Sequence, residues 1–254
     1  EGAAVNRSIL EKSRQAAGRP HLTLVGKAEE TAPLRVAKPP EVRQTTSTLT
    51  RRDRLDHWAA RWGYRRMAHR VAPGLYALGA PGPASPVLVT ANYTLSFDAV
   101  RSAMAGRDAY ILVLDTQGIN VWCAAGKGTF GTAELVRRIR QTRLDEVTPN
   151  HTLILPQLGA SGVSAHEVRR QSGYTVTYGP VRAEDLGAYL DSGLATQAMR
   201  RVRFALRDRA VLIPVELVGV LKWLVLAVLM MYIVSGGWGA IGVALVALAG
   251  AVLF

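Results

Sequence analysis

The chain has 254 residues, 49% of them hydrophobic, which is enough to bury the core of one or two compact domains. A formal net charge of +12 means that the chain is strongly basic, which suits binding to an anionic membrane surface or to a nucleic acid. The single cysteine excludes an internal disulfide, and an iron–sulfur cluster held by this chain alone. Because the chain lacks an initial methionine and ends within an apolar run, we expect it to be part of a longer protein.

The first 70 residues contain a polar segment and then a basic one. Residues 1–50 have no sustained apolar period and are expected to be mobile or loosely ordered. Residues 51–70 predict a basic amphipathic helix. Its apolar side, surrounded by arginines, carries Leu55, Trp58, Trp62 and Met67. Such a helix either lies on a membrane surface or packs against the next domain.

Residues 71–194 alternate between strand and helix patterns. The apolar stretches predicted as strands are 86–91, 109–116, 151–156 and 174–179. The helices predicted to follow them are 96–106, 132–143, 164–173 and 183–193. Continuous apolar strands separated by helices predict an α/β, Rossmann-like domain, in which helices cover both faces of a parallel sheet. Ligands of such sheets bind on the loops at the carboxyl ends of the strands.

The last 60 residues are basic and then strongly apolar. Residues 195–210 predict a basic connector helix, and 211–254 predict a truncated domain of all-α transmembrane helices. Residues 213–234 are long enough to cross a bilayer, and a second span begins at 239. Two core helices of a soluble protein are the alternative. Zinc-ligand spacing and RNP-like aromatic motifs are missing from the sequence, so we expect no nucleic-acid partner.

The only cysteine, Cys123, lies in the loop GINVWCAAGKGTF that follows the second predicted strand. A P-loop is rejected, because the required glycine before the Gly–Lys pair is missing and Gly128 follows Lys127. Nucleophilic catalysis would need a base, and His151 and His166 are expected on other loops of the same sheet edge. Metal ligation is a third possibility, and a buried thiol that packs as a small apolar group is a fourth.

The octet NVWCAAGK at 120–127 resembles the cap-helix motif of the corrinoid protein of microbial mercury methylation. Residues 86–101, 155–168 and 178–186 resemble that family and also the corrinoid domain of the corrinoid iron–sulfur protein of acetyl-CoA synthesis. The resemblance covers roughly residues 70–254. The chain departs from the second family because it lacks that family's four-cysteine cluster motif. None of the five histidines fits the Asp-x-His-x-x-Gly motif of other corrinoid methyltransferases.

This resemblance implies a corrinoid-dependent methyltransferase with cobalamin as its cofactor. Cys123 would be the catalytic residue and the lower axial ligand of cobalt. The methyl group would pass from cobalt to inorganic Hg(II), as a carbanion equivalent or as a radical, and form methylmercury. The alternative is a membrane-tethered corrinoid methyl carrier that serves a partner enzyme and has no mercury activity.

The resemblance also implies further cofactor contacts. Corrin amides would bond to Thr94 and Ser96, for which helix capping is the alternative. The cap helix would contribute Asn120, Val121, Trp122, Ala124, Ala125, Gly126 and Lys127. The nucleotide tail would meet Gln157, Gly159, Ala160, Gly162 and Val163, or these residues form only a tight turn. The last strand would add Tyr178, Gly179 and Pro180. We expect Ala124 and Ala125 to leave room for the flat cofactor and Trp122 to pack in the core.

The implied partners follow from the cofactor. The chain has no intrinsic iron–sulfur cluster to reduce cobalt, so the resemblance implies a ferredoxin-like protein with two [4Fe-4S] clusters and a folate-linked methyl donor. The basic patches would attract an acidic electron carrier. The implied location is the inner (cytoplasmic) membrane, with the helices in the lipid bilayer and the corrinoid domain on the cytoplasmic side.

Overall fold

A computed structural model of the chain describes residues 39–65, 67–203 and 205–235, and positions 239, 242, 243, 246, 249 and 250. Most of the predicted mobile segment, the turn at 236–238 and most of the second predicted span lie outside the described residues. In the described part, one six-stranded sheet comprises β1 Val42–Thr45, β2 Gly74–Leu78, β3 Val87–Ala91, β4 Ala109–Leu114, β5 Thr152–Leu155 and β6 Thr175–Tyr178.

Helices connect and cover these strands. They are α1 Arg51–Arg61, α2 Thr94–Ala103, α3 Val121–Gly126, α4 Thr132–Thr142, α5 Leu144–Val147, α6 Ala165–Ser172, α7 Leu186–Ser192, α8 Leu206–Ala210 and α9 Ile213–Ser235. Short 3₁₀ turns precede α6 and α7, at Gln157–Gly159 and Ala183–Asp185. The helix predicted over 51–70 therefore ends at Arg61, and the connector predicted over 195–210 is helical only in α8.

The strand order is β1-β2-β4-β3-β5-β6. The predicted parallel pairing is confirmed for β3, β4, β5 and β6. It is wrong for the sheet as a whole, because β2 pairs antiparallel with β4 and carries β1 at the edge. From β3 the chain moves to β4 on one side, and then crosses to β5 on the other. This reversal leaves a crevice at the carboxyl ends of β3 and β5, where doubly wound sheets bind ligands.

Alternate side chains of the strands pack against helices on opposite faces of the sheet. On one face, Leu135 of α4 and Val168 of α6 are fully buried in the larger apolar cluster. On the other, Phe97 of α2 and Leu186 of α7 belong to a second cluster. Each fully buried side chain of this size contributes about 1.5–3 kcal/mol to stability. The two clusters hold the loops of the crevice in fixed positions.

The C-terminal helix α9 is apolar and exposes Trp223 and Ile233. Taken one at a time, the described helices do not reach the length and hydropathy that a membrane crossing requires. The consecutive segments Asp208–Leu221 and Trp223–Ile233 meet at a bend of 43°. Together they reach the length and hydropathy of a membrane span.

Candidate functional site

A cavity of about 310 Å³ opens at the crevice between β3 and β5. Its wall is mostly apolar and comes from both strands, from α2, from the start of α3 and from the segment after β6. The lining residues are Leu88, Val89, Thr90, Ser96, Ala99, Val100, Asn120, Val121, Trp122, Ile154, Leu155, Pro156, Leu158, Pro180, Val181, Arg182, Ala183 and Leu186. The cavity lies at the lower end of the size range of small-molecule sites, about 300–1,000 Å³.

Cys123 lies on α3, directly after three residues that line this cavity. The side chain of Asn120 begins the helix by accepting a hydrogen bond of 2.9 Å from the backbone N–H of Cys123. Asn120, Val121 and Trp122 line the cavity, whereas Cys123 itself is exposed. The interpretation of Cys123 as a buried small apolar group is therefore wrong, and its thiol is open to a ligand.

A network centred on Asn92 fixes the loop that leads to α3. Its Oδ1 accepts hydrogen bonds from the backbone N–H and the hydroxyl of Thr116, both at 2.9 Å, and from the N–H of Gly118 at 3.0 Å. Its Nδ2 donates to Asp115 at 3.2 Å. Asn92 is only 3% exposed, so breaking the network would leave buried polar groups unpaired. Asn92 was not among the residues predicted from the sequence, although a polar residue directly after a buried strand was a usable signal.

Close packing holds α3 against the turn that follows β5. A Cβ added at Gly162 would lie 2.2 Å from the carbonyl oxygen of Phe130 and 3.0 Å from Cα of Ala125. A Cβ added at Gly159 would lie 2.6 Å from the Phe130 ring. Both glycines thus have a packing role, and their contact with a nucleotide tail stays a prediction.

Two expectations about α3 are wrong. Ala124 and Ala125 are buried in the core cluster, so they anchor the helix and are not the surface that a flat cofactor would approach. Trp122 is 56% exposed and lines the cavity, and so does not pack in the core. The reason is the helical period, which turns positions 121, 124 and 125 inward and positions 122 and 123 outward.

The other predicted contact residues are divided between the cavity wall and its surroundings. Ser96 and Pro180 line the cavity, and Thr94 starts α2 beside a different groove. Gln157 accepts a hydrogen bond of 3.0 Å from Arg200. Gly126 ends α3, and the surrounding turns and strand ends contain Lys127, Ala160, Val163, Tyr178 and Gly179. Their contacts with a cofactor stay predictions.

Of the two histidines considered as a base, His151 lies at the opposite edge of the sheet from Cys123. His151 lies at the amino end of β5 and stacks on Tyr174 with ring centroids 4.7 Å apart. The expectation that it shares the sheet edge of Cys123 is wrong, because it precedes the strand. His166 lies exposed in the first turn of α6.

Among the described residues, no group of three or more His, Cys, Asp or Glu side chains could hold a metal ion. A metal bound at Cys123 would therefore have to bring the rest of its coordination shell with it. An exposed thiol beside an apolar cavity suits such a metal complex better than it suits a bare ion.

Comparison with known proteins places the matching part of the chain around this cavity. The family described as the CO dehydrogenase/acetyl-CoA synthase delta subunit matches residues 63–190. The acetyl-CoA decarbonylase/synthase complex subunit gamma of Archaeoglobus fulgidus is 30% identical over 124 residues, which are 48% of this chain and 26% of the relative. The subunit gamma of Methanopyrus kandleri is 33% identical over 129 residues, 50% of this chain and 27% of the relative.

A third relative has a different name. The corrinoid/iron-sulfur protein large subunit of Moorella thermoacetica is 30% identical over 129 residues, which are 50% of this chain and 28% of the relative. In these relatives the match spans only about a quarter of their length.

Proposed function

Because this chain belongs to the CO dehydrogenase/acetyl-CoA synthase delta subunit family, we propose that residues 71–194 form a corrinoid-binding domain. The matched residues 63–190 include the whole cavity and α3. The relative from Moorella thermoacetica carries the corrinoid in its name, which supports the same cofactor here. The observation that carries the proposal is the exposed thiol of Cys123, which directly follows three residues that line the cavity.

The residues at the site fit a corrinoid. A corrinoid would supply most of the ligands of its own cobalt, so the protein would need to add a single one. The described residues offer one exposed thiol and no multidentate metal site, which matches that requirement. The apolar cavity next to Cys123 has room for part of the cofactor.

When bound, the corrinoid supplies a cobalt centre that carries a methyl group. Cys123 would hold the cobalt as a thiolate and donate electron density to it. Asn120 keeps the first turn of α3 in place through its bond to the Cys123 amide. The buried Ala124 and Ala125 prevent the helix from moving away from the sheet. These residues hold the thiol in one position, and the metal complex performs the chemistry.

We propose inorganic Hg(II) as the methyl acceptor and methylmercury as the product. The support is the resemblance of the octet at 120–127, with Cys123 at its centre, to the corrinoid protein of mercury methylation. The second candidate is a methyl carrier that serves a partner enzyme. It is favoured by the relatives, which are named as subunits of acetyl-CoA decarbonylase/synthase complexes.

The proposal includes a reductant, a methyl donor and a membrane. One cysteine cannot hold an iron–sulfur cluster by itself, so we propose a ferredoxin-like partner with two [4Fe-4S] clusters as the electron donor. A folate-linked system would supply the methyl group. The apolar helix α9 would tether the protein to the cytoplasmic membrane. In support of this, the bent pair of segments at 208–233 has the length and composition of a membrane span.

Metal analysis of the purified full chain tests this function first. We expect cobalt with a corrinoid absorption spectrum, and methylmercury formation that Cys123→Ala abolishes. Ala133→Ser, at an exposed position of α4, is the matched control and should leave both unchanged. Cobalt without methylmercury would favour the carrier function. A chain without cobalt would refute both functions.

A further inference from the structure

Helix α1 packs on the domain with its polar side. Its partly or fully buried positions recur at helical spacing, and they are Asp53, Asp56, His57, Ala59 and Ala60. Three pairs of side chains fix the helix, and in each pair a nitrogen lies at hydrogen-bond distance from a carboxylate oxygen. They are Asp53 with Arg101 at 2.8 Å, His57 with Asp98 at 2.6 Å and Asp56 with His69 at 2.8 Å.

The outward side of α1 has the opposite character. Its exposed residues are Arg51, Arg52, Arg54, Leu55, Trp58 and Arg61. Leu55 is 67% exposed and Trp58 is 61% exposed. Because both acidic residues of the helix point inward, every charge on this outward face is positive. An ordinary surface helix buries its apolar residues, so this reversed arrangement indicates a surface that binds something.

The end of α1 lies next to the beginning of α9. Gly63 is the second residue after α1, with a φ of 71°, and a Cβ added to it would lie 3.2 Å from Cγ2 of Val215. Val215 is in the first turn of α9, the helix proposed as the membrane tether. The exposed face of α1 would therefore come close to the bilayer wherever α9 enters it.

We propose that the outward face of α1 binds the anionic headgroup surface of a lipid bilayer. The arginines would pair with lipid phosphates, while Trp58 and Leu55 would enter the boundary between headgroups and acyl chains. An acidic protein would satisfy the arginines. A bilayer accounts in addition for the exposed apolar pair between them and for the neighbouring α9. This inference rests on the proposed function only in taking α9 as the tether.

The test uses the full chain in lipid nanodiscs and a fluorescent label on one cysteine. In a Cys123→Ser background, an environment-sensitive label is attached to Leu55→Cys, to Ala133→Cys on α4 or to Val225→Cys in α9. Quenching by nitroxide lipids reports contact with the bilayer. We expect the label at 55 to be quenched in discs with anionic lipid and the label at 133 to remain unquenched. Arg54→Gln should lower the ratio of quenched to unquenched label about fivefold, and Arg169→Gln, on the opposite face of the sheet, should not.

The outcomes separate this inference from the proposed tether. A label at 55 that stays unquenched while the label at 225 is quenched overturns the inference and leaves the tether standing. Equal quenching at 55 in anionic and in zwitterionic discs overturns the assignment to an anionic surface. Labels unquenched at both 55 and 225 overturn the inference and the tether together.

Discussion

The backbone amide of Cys123 donates a 2.9 Å hydrogen bond to the side chain of Asn120. Asn120 thus ends the loop from β4, starts α3 and holds the backbone of the cysteine that carries the proposed chemistry. An exposed thiol on a single flexible loop would have no fixed direction. Here the buried side of α3 and the Asn120 cap fix the helix that carries the thiol.

Removal of this cap should weaken the site. Asn120→Ala leaves the Cys123 amide without its partner and should lower the free energy of unfolding by about 0.5–2 kcal/mol. Asn120→Asp keeps the accepting oxygen and should retain most of the stability. Thermal unfolding and cobalamin retention of the full chain measure the effect. Equal cobalamin retention in the alanine variant and the parent would show that the cap does not position the cysteine.

A methyl group at Gly162 should loosen α3 from the sheet. Its Cβ would lie 2.2 Å from the Phe130 carbonyl oxygen, so the backbone must shift, at a cost of about 1–3 kcal/mol. The matched control is Gly187→Ala in α7, where a Cβ meets no atom within 4 Å among the described residues. That variant should gain about 0.5–1 kcal/mol, because alanine is the better helix former. Equal stability of the two variants would contradict the packing role of Gly162.

Tyr174 should make the fold sensitive to alkaline pH. Burial, with a smaller effect from the charge of Asp145, raises the pKa of Tyr174 from 10.0 to about 12. Between these two values the unfolded chain ionises at this residue and the folded chain does not. Stability is therefore fully present below pH 10 and is lost as pH rises toward 12.

Tyr174→Phe should remove this loss. The hydroxyl has no hydrogen-bond partner among the described residues, so the variant should also gain about 1 kcal/mol at neutral pH. Unfolding measured from neutral to alkaline pH compares the variant with the parent. A variant that is less stable at neutral pH would mean that the hydroxyl makes a stabilising bond.

Arg101 joins the N-terminal segment to the domain. It bonds to Asp98 at 2.6 Å, to Asp53 at 2.8 Å, and to the carbonyl oxygens of Thr46 and Thr48 at 2.7 and 2.9 Å. Lysine cannot reproduce this planar fork, so Arg101→Lys should cost about 3 kcal/mol.

The control for Arg101 is Arg107→Lys, which changes an exposed arginine paired with Asp191. It should leave the melting temperature nearly unchanged. Protease cleavage between residues 46 and 57 should accelerate in the Arg101 variant only. Similar cleavage in both variants would show that α1 is held by other contacts.

The central strands β3 and β4 were predictable because their residues are almost all apolar. β3 and β4 are buried along their whole length, which gives an uninterrupted apolar run. β2 lies between Pro73 and Gly79 and looks like part of a loop. β1 carries Arg43 and Gln44 and has no apolar run. Its pairing with β2 is a tertiary effect that a local pattern does not contain.

The candidate site was predictable in position and less so in detail. The carboxyl ends of parallel strands, together with the octet around Cys123, indicated the edge of the sheet at which the cavity opens. The direction of Trp122 depends on where the helical period starts, which only the cap at Asn120 determines. The packing role of Gly159 depends on Phe130, almost thirty residues earlier in the chain. Contacts of that kind have no signal in a single sequence.

The ligation of cobalt by Cys123 is the central claim, and electron paramagnetic resonance tests it most directly. The full chain is loaded with cobalamin, reduced to Co(II), and compared with Cys123→Ala loaded in the same way. A sulfur ligand produces no nitrogen splitting of the cobalt lines, whereas an axial nitrogen splits each line into a triplet. We predict unsplit lines in the parent and a changed spectrum in the variant. Nitrogen triplets in the parent, or identical spectra from the two proteins, would contradict the account.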